Sequence, residues 1–201
     1  MGRRRDRARR HLRGPRRARR PDRAGDRRAT GHHRHRRDRR AARAPRRPPD
    51  RPLFVNAGIT DADVPAAQVP TEVFAEVMVT NALSPMRVVE GLSPLVLPTG
   101  TIGVMSSRQG SVGFNTRGGH EVYRASKAAL NQLMRSYAAR TAQDPRTLLL
   151  LHPGWVQTDL GGPGARLTVA ESARGVADVL EGHAHDGGLQ FLDHTGAVVP
   201  W

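Results

Sequence analysis

The chain has 201 residues, of which 37% are hydrophobic and 25% are charged, and it contains no cysteine. This length suits one domain with a buried core and excludes two large ones. The missing cysteines exclude disulfides, a thiol nucleophile and cysteine-ligated metal centres. The formal net charge of +15 is unevenly distributed, because residues 1–50 contain 22 Arg and 5 Asp and so leave residues 51–201 with a net charge of −2.

Residues 1–50 are predicted to form an Arg-rich segment without a fold. Met1 and Leu12 are their only large apolar side chains, too few for a core, and repeated prolines with like charges disfavour a helix. Three interpretations remain open: an arm that contacts nucleic acid through its guanidinium groups, a solvated tail, or GC-rich coding DNA read in a shifted frame. We favour the shifted frame, since Arg, Ala, Pro, Gly, His and Asp are what such codons specify.

From Pro52 the sequence changes to short apolar runs that alternate with helical periods, which is typical of βα units around a parallel sheet. Strands are predicted over residues 53–55, 101–105, 147–151 and 188–192. Helices are predicted from an N-cap at Thr71 to about 89, with a bend near Pro85, from 123 to about 142, and from an N-cap at Thr168 to about 181. The fold class is therefore α/β: a partial, doubly wound parallel sheet over residues 51–201, preceded by the Arg-rich segment.

No apolar run reaches the roughly 18 residues of a membrane-spanning helix, and the Arg-rich start has no apolar region of the signal-peptide type behind it. We therefore expect a cytoplasmic protein with no membrane partner. His183, His185 and Asp186 lie in a predicted loop. The two histidines lack a third ligand that converges on them, so this cluster indicates no metal site. His152 is interpreted as a polar group satisfied within the fold.

Ligands of an open parallel sheet bind at the carboxyl ends of its strands. The residues at those ends are 56–58, Ser106 with Ser107, and 153–158. Tyr123 and Lys127, which is the only lysine, are four residues apart and therefore share one helix face. A cation beside a phenol can make it a proton donor and acceptor near neutral pH, and Ser107 could hold a substrate oxygen.

Several of these residues recur together in a known family. They are Asn56-Ala57-Gly58, Asn81, Ser107, the stretch from Tyr123 to Lys127, and the stretch from Pro153 to Asp159. In this order they resemble the short-chain dehydrogenase/reductases, most closely a C-factor-like or carbonyl-reductase-like subgroup. The resemblance extends over residues 53–201 and implies the C-terminal part of a Rossmann-like domain.

The resemblance also implies a function and a cofactor. Tyr123 would be the general acid or base, Lys127 would lower its pKa and hold the nicotinamide ribose, Ser107 would orient the carbonyl, and Asn81 would support a proton-relaying water. The expected cofactor is NAD or NADP, and the expected substrate is a small carbonyl compound or alcohol. The cofactor-binding residues would be Asn56, Ala57, Gly58, Tyr123, Lys127, Pro153, Gly154, Val156 and Thr158.

One departure from the family pattern affects the function. The family's strand, glycine-rich turn and helix, which hold the pyrophosphate, are expected before Leu53, and residues 1–50 do not contain them. We therefore expect an open edge at the first strand, poor solubility, and weak or no binding of NAD(P). An impaired oxidoreductase is the first hypothesis, with homo-oligomers possible. A non-catalytic protein whose Arg-rich arm binds nucleic acid, or a gene fragment without function, is the alternative.

Overall fold

A computed structural model describes residues 51–201, so the interpretations of residues 1–50 lie outside the described part of the chain. The strands are β1 (Leu53–Val55), β2 (Thr101–Met105), β3 (Thr147–His152) and β4 (Gly188–Asp193). They form one parallel sheet in the order β1-β2-β3-β4. The predicted α/β fold is confirmed. β1 and β2 have the predicted bounds, whereas β3 and β4 each extend one residue further because His152 pairs with Asp193.

The helices confirm the predicted βα alternation. α1 (Thr71–Met78), a π-helical segment (Val79–Leu83) and α2 (Ser84–Leu92) follow one another directly. They form the single long helix expected, and its irregular part ends just before Pro85. α3 (Glu121–Arg140) follows β2, and α4 (Val169–Gly182) follows β3.

Two of the predicted helix starts are wrong and one is confirmed. Thr71 is not a cap: Pro70 takes that position in an extended conformation, without a side-chain hydrogen bond, and Thr71 is the first helical residue. α3 begins at Glu121, two residues before Tyr123, because its carboxylate accepts a hydrogen bond from the amide of Ala66 and fixes the first turn. Thr168 caps α4 as expected and forms a reciprocal capping box with Glu171.

The two faces of the sheet carry different cores. Successive side chains of a strand point to opposite faces, so Leu150 packs under α2 and α3 while its neighbour Leu149 packs under α4. The buried residues of the α3 face are Ala82, Met86, Val89, Ile102, Val104, Leu130, Met134, Tyr137, Leu148, Leu150, Phe191 and Val199. Those of the α4 face are Leu149, Leu151, Val176, Val179 and Leu192. The α3 face therefore holds the larger core.

The margins of the sheet are built differently at its two ends. The C-terminal residues fold back over β4, where the Val199 amide donates to the Phe191 carbonyl at 2.8 Å and the Trp201 ring lies 5.7 Å from the Phe191 ring. This contact packs the last residues against β4. Within residues 51–201, β1 pairs with β2 alone, so its outer edge is open. No helix in this part of the chain is long and apolar enough to span a bilayer.

Candidate active site

The carboxyl ends of the strands open into a cavity of about 1000 Å³. Ser107 enters it from the turn after β2, His152 from the end of β3, and Tyr123 and Lys127 from the first turns of α3. The residues that the sequence placed at strand ends are thus brought to one cavity. Of the eleven predicted site residues, nine line it, whereas Asn81 lies behind its wall and Ala57 is exposed outside it.

Ser107 and Tyr123 line the same cavity, and Ser107 lies near enough to Tyr123 to influence its pKa through a side-chain hydrogen bond. Ser107 is 6% exposed and Tyr123 is 8% exposed, so both hydroxyls face the cavity from a desolvated wall. The neighbouring Ser106 instead donates its hydroxyl to Asn131 Oδ1 at 2.6 Å inside the core. This difference favours Ser107 over Ser106 as the residue that holds a substrate oxygen.

Lys127 is the buried cation of the site. It is 3% exposed, and its Nζ donates to the carbonyl of Met105 at 3.1 Å and lies 5.9 Å from the centre of the Tyr123 ring. Burial lowers the pKa of Lys127 to about 8, because a desolvated ammonium is costly. Burial also raises the pKa of Tyr123, and the hydrogen bond with Ser107 opposes that rise. The lowering of the Tyr123 pKa by Lys127 remains a prediction.

Asn81 supports the site from within the π-helical segment. It is fully buried; its Nδ2 donates to the Ile59 carbonyl at 2.7 Å and to Ser126 Oγ at 3.0 Å, and its Oδ1 accepts from the Ile59 amide at 2.8 Å. These bonds fix the chain just after Gly58. A Cβ at Gly58 would lie 3.2 Å from Lys127 Nζ and 3.3 Å from Asn81 Oδ1, so this glycine permits the close approach.

The turn that carries Ser107 is pressed against α3. The Gln109 amide donates to Ser107 Oγ at 3.1 Å, which fixes the serine side chain within its own turn. A Cβ at Gly110 would lie only 2.8 Å from the backbone carbon of Lys127. The Asn131 side chain also donates to the Gly110 carbonyl at 3.3 Å. Together these contacts set the distance between Ser107 and the helix that carries Tyr123 and Lys127.

The segment after β3 forms the opposite wall. Ser172 of α4 donates to the Pro153 carbonyl at 2.7 Å, and Val156 forms an isolated bridge with Leu167. Thr158 accepts the amide of Gly161 at 3.1 Å and so closes a tight turn. The predicted cofactor residues after β3 all line the cavity; they are Pro153, Gly154, Val156 and Thr158.

Sequence reasoning did not assign several polar residues of this cavity, among them Gln109, and it misread His152. His152, interpreted as a satisfied polar group, lines the cavity, and its buried Nδ1 has no hydrogen-bond partner within residues 51–201. Gln109 Oε1 is likewise buried without a partner there. The rule applied to Pro153, that chemistry follows strand ends, could have included His152, but the direction of its ring is a tertiary property. Trp155, Leu160 and Val169 add apolar walls.

Residues 52–177 match a family model described as enoyl-(acyl carrier protein) reductase. The chain is also 38% identical over 151 residues to the C-signal protein of Myxococcus xanthus, a match that covers 74% of this chain and 91% of that relative. The chain belongs to the short-chain dehydrogenase/reductase family. Family membership confirms the resemblance drawn from the motifs and, with it, the Rossmann-like class of the fold.

Two solved members of the family are close in structure. A short-chain dehydrogenase/reductase from Burkholderia multivorans with bound NADP has 55% sequence identity and a TM-score of 0.73, with 75% of this chain and 66% of that chain covered. A carbonyl reductase from Pseudomonas aeruginosa PAO1 in complex with NADP has 39% identity and a TM-score of 0.68, with the same coverage. This chain thus spans less than two-thirds of the length of these reductases, in contrast to the 91% of C-signal.

Proposed function

We propose that the protein is an NAD(P)-dependent oxidoreductase that interconverts a carbonyl compound and its alcohol. The observation that carries this proposal is that the buried side chains of Ser107, Tyr123 and Lys127 line one cavity. Desolvated hydroxyls next to a cation are suited to hold a carbonyl oxygen and to transfer a proton to it. Membership of the reductase family supports the same reaction class.

The residues present fit the nicotinamide half of such a cofactor. Lys127 would hold the ribose hydroxyls, and the Pro153 to Thr158 wall, together with Asn56 and Gly58, would enclose the nicotinamide side. When bound, this group supplies the hydride. The relatives solved with NADP support NADP as one candidate, and the choice between NAD and NADP rests on residues outside those that form this cavity.

The proton chemistry belongs to Tyr123. Burial raises the pKa of Tyr123, so its hydroxyl keeps its proton at neutral pH and can deliver it to a substrate oxygen as negative charge develops there. Ser107 donates to the same oxygen and orients it. Lys127 stabilises the phenolate left behind, and Asn81 positions Lys127 and Gly58 through its bonds to Ile59 and Ser126.

We further propose that cofactor affinity is low. Residues 51–201 contain no glycine-rich turn between a strand and a helix, the element with which this fold binds a pyrophosphate, and β1 has an open edge in this part of the chain. The expected result is a dissociation constant for NADPH well above the micromolar range. A micromolar value measured by NADPH fluorescence would contradict this.

A second function is favoured by one observation, the net charge of +17 on residues 1–50. Clustered guanidinium groups bind nucleic acid by displacing counterions, so such binding would weaken steeply between 50 and 200 mM salt. Titration of the full chain with duplex DNA at both salt concentrations tests this role. Binding that is absent, or that does not change with salt, excludes it.

The oxidoreductase is tested by NADPH consumption in the presence of a ketone such as acetophenone, at millimolar NADPH to compensate for weak binding. We expect measurable turnover and a loss of about 10²- to 10⁴-fold in kcat/KM for Tyr123→Phe, the range attributed to general acid catalysis. Tyr137→Phe is the matched control, because Tyr137 is the only other tyrosine and lies in the α3-face core. Equal activity of Tyr123→Phe and Tyr137→Phe would refute the proposed role.

A further inference from the structure

The chain enters α3 through an uncommon backbone conformation. Gly118, Gly119 and His120 have φ angles of 69°, 73° and 48°, so three consecutive residues are left-handed just before the helix. Glycine adopts this conformation freely, whereas a residue with a side chain is disfavoured in it. Within residues 51–201, His120 is the only residue other than glycine with a positive φ. Such an outlier persists where surrounding contacts hold it, and outliers of this kind cluster at functional sites.

The carboxylate of Asp63 supplies these contacts from the segment after β1. Its Oδ1 accepts a hydrogen bond from the His120 amide at 2.5 Å, and its Oδ2 lies 3.7 Å from His120 Nε2. A Cβ at Gly119 would lie 3.5 Å from both carboxylate oxygens, so Asp63 also rests against this glycine. One side chain therefore contacts both the backbone and the ring of the left-handed histidine.

Asp63 replaces a cap that α3 cannot provide from its own residues. In a capping box, the third residue of the helix reaches back with a carboxylate to the amide of the capping residue. In α3 the capping residue is His120, whose side chain forms no capping hydrogen bond, and the third residue is Tyr123. Because the proposed proton donor occupies that position, the carboxylate comes from another segment. A negative charge at this end of a helix is also favourable to the helix dipole.

A second hydrogen bond joins the same two segments in the opposite direction. Glu121, the first residue of α3, accepts the Ala66 amide at 2.8 Å. The segment that carries Asp63 is itself fixed at its start, because Asn81 bonds both the amide and the carbonyl of Ile59. Asp63 therefore acts from an anchored support.

The conformation of His120 determines where the first turn of α3 begins. The His120 carbonyl accepts the Arg124 amide at 2.8 Å, and Arg124 Nε donates to the Gly119 carbonyl at 2.8 Å. Tyr123 lies between these bonded residues, and both His120 and Tyr123 line the cavity. A change in the backbone at His120 would thus move the turn that carries the Tyr123 side chain.

We propose that Asp63 is a positioning residue of the candidate active site. Its carboxylate holds His120 in the left-handed conformation and so fixes the first turn of α3, which presents Tyr123 to the cavity. This inference deepens the proposed function and rests on it for the catalytic consequence. The positioning itself can be measured without turnover.

Tyr123 reports on this role directly, because Tyr137 is the only other tyrosine of the sequence. Labelling of the full chain with tyrosine carrying ¹³C at Cζ gives two NMR signals, and Tyr137→Phe assigns them. We expect Asp63→Ala to shift the Tyr123 signal. The pKa of Tyr123, which burial raises, should fall towards its ordinary value of 10.0 in this variant, because a loosened first turn admits water to the hydroxyl.

Two further variants separate the hydrogen bond from the charge. Asp63→Asn removes the charge but keeps an oxygen that can accept the His120 amide, so it should keep the wild-type signal and pKa of Tyr123. Asp178→Ala removes an exposed aspartate of α4 that does not line the cavity, and it should also leave Tyr123 unchanged. If Asp63→Asn behaves like Asp63→Ala, the charge acts and the proposed hydrogen-bonding role is overturned.

A double variant tests the backbone conformation itself. Glycine is left-handed without support, so Asp63→Ala combined with His120→Gly should restore the wild-type Tyr123 signal. Thermal unfolding should follow the same pattern: Asp63→Ala lowers the melting temperature by about 2–4 °C, and the double variant recovers most of this loss. These measurements also check that each variant is folded. A Tyr123 signal that stays displaced in the double variant would overturn the proposal.

NADPH consumption separates this inference from the proposed function. Asp63→Ala should reduce kcat several-fold with little change in KM, because it displaces the proton donor and leaves the other cavity walls in place. If the wild-type chain shows no turnover while the Tyr123 signals change as expected, the oxidoreductase is refuted and the positioning role is supported. Turnover together with a Tyr123 signal that does not respond to Asp63→Ala would support the oxidoreductase and overturn the inference.

Discussion

The two faces of the sheet differ in how completely residues 51–201 cover them. The α3 face has three helical segments above it, a large buried core and, at its margin, the residues proposed to transfer a proton. The α4 face is covered by one helix, and Phe54, Met105 and Leu180 at its border are only partly buried and line the cavity. The comparison teaches that the residues proposed as catalytic are held by the larger core, whereas the face proposed to meet the cofactor has a smaller core with partly buried residues at its border.

The sharpest test of this difference uses adjacent leucines of β3. Leu150 and Leu149 are both fully buried but point to the α3 face and the α4 face respectively. Leu→Ala in a core costs about 2–5 kcal/mol, and the cost is larger where the surroundings cannot relax. We expect Leu150→Ala to lower the free energy of unfolding by about 1 kcal/mol more than Leu149→Ala does, measured by urea denaturation. Equal costs would show that both faces are equally rigid.

A second prediction separates stability from function at Lys127. Its folded-state pKa of about 8 lies below its ordinary value of 10.5, so the folded state releases this proton first as the pH rises. The free energy of unfolding of the wild-type chain should therefore increase with pH between about 8 and 10.5. Below pH 8 the ammonium is charged in both states, so this increase should be absent. Lys127→Met should remove the increase and, at pH 7, raise the free energy of unfolding by about 1–3 kcal/mol while abolishing turnover.

The measurement is direct because Lys127 is the only lysine of the sequence. Labelling with ¹⁵N-lysine gives one side-chain ammonium signal, whose titration midpoint should lie near 8. A midpoint near 10.5, or a destabilised Lys127→Met variant at pH 7, would show that the ammonium is solvated and not held against Met105.

The smallest expected effect concerns two glycines. A Cβ at Gly58 would press on Lys127 Nζ and Asn81 Oδ1, whereas a Cβ at Gly91 in α2 would meet no atom within 4 Å. Gly91→Ala should stabilise the chain by about 0.5–1 kcal/mol through helix propensity. Gly58→Ala should change stability by no more than about 1 kcal/mol but reduce kcat/KM roughly tenfold, because it displaces the ammonium. Comparable activities of the two variants would argue against this tight packing at Lys127.

The sequence predicted those parts of the molecule that local patterns determine. The apolar run from Leu148 to Leu151 identified a buried strand, and the four-residue spacing of Tyr123 and Lys127 placed both on the cavity side of α3. The capping role of Thr168 was predictable because Glu171 follows three residues later. By contrast, threonine is a residue type that often caps helices, but Thr71 does not cap α1. Pro70 before it already provides the extended residue at which α1 starts.

The rest depended on tertiary contacts that no local pattern encodes. The sequence placed His152 at a strand end, yet only the packed sheet shows that it lines the cavity and that its Nδ1 is buried without a partner within residues 51–201. The rise of the Tyr123 pKa is likewise a consequence of burial, which the spacing between Tyr123 and Lys127 cannot reveal. Ala57, expected beside the cofactor because it follows a strand, is exposed and does not line the cavity, whereas its neighbours Asn56 and Gly58 do. The predicted roles of the site residues remain predictions that the variants above can test.

The contact of Gly110 with the backbone of α3 has a consequence for how such a protein can diversify. The turn Arg108–Gly110 rests directly on the helix at Lys127, so Ser107, Tyr123 and Lys127 form one rigid unit that ends at Gly110. The loop from Ser111 to His120 begins only after this anchor. We therefore expect substitutions at its exposed positions, such as Val112, to leave the spacing of Ser107, Tyr123 and Lys127 unchanged. On the proposed function, selectivity could therefore change in this loop while Ser107, Tyr123 and Lys127 keep their arrangement.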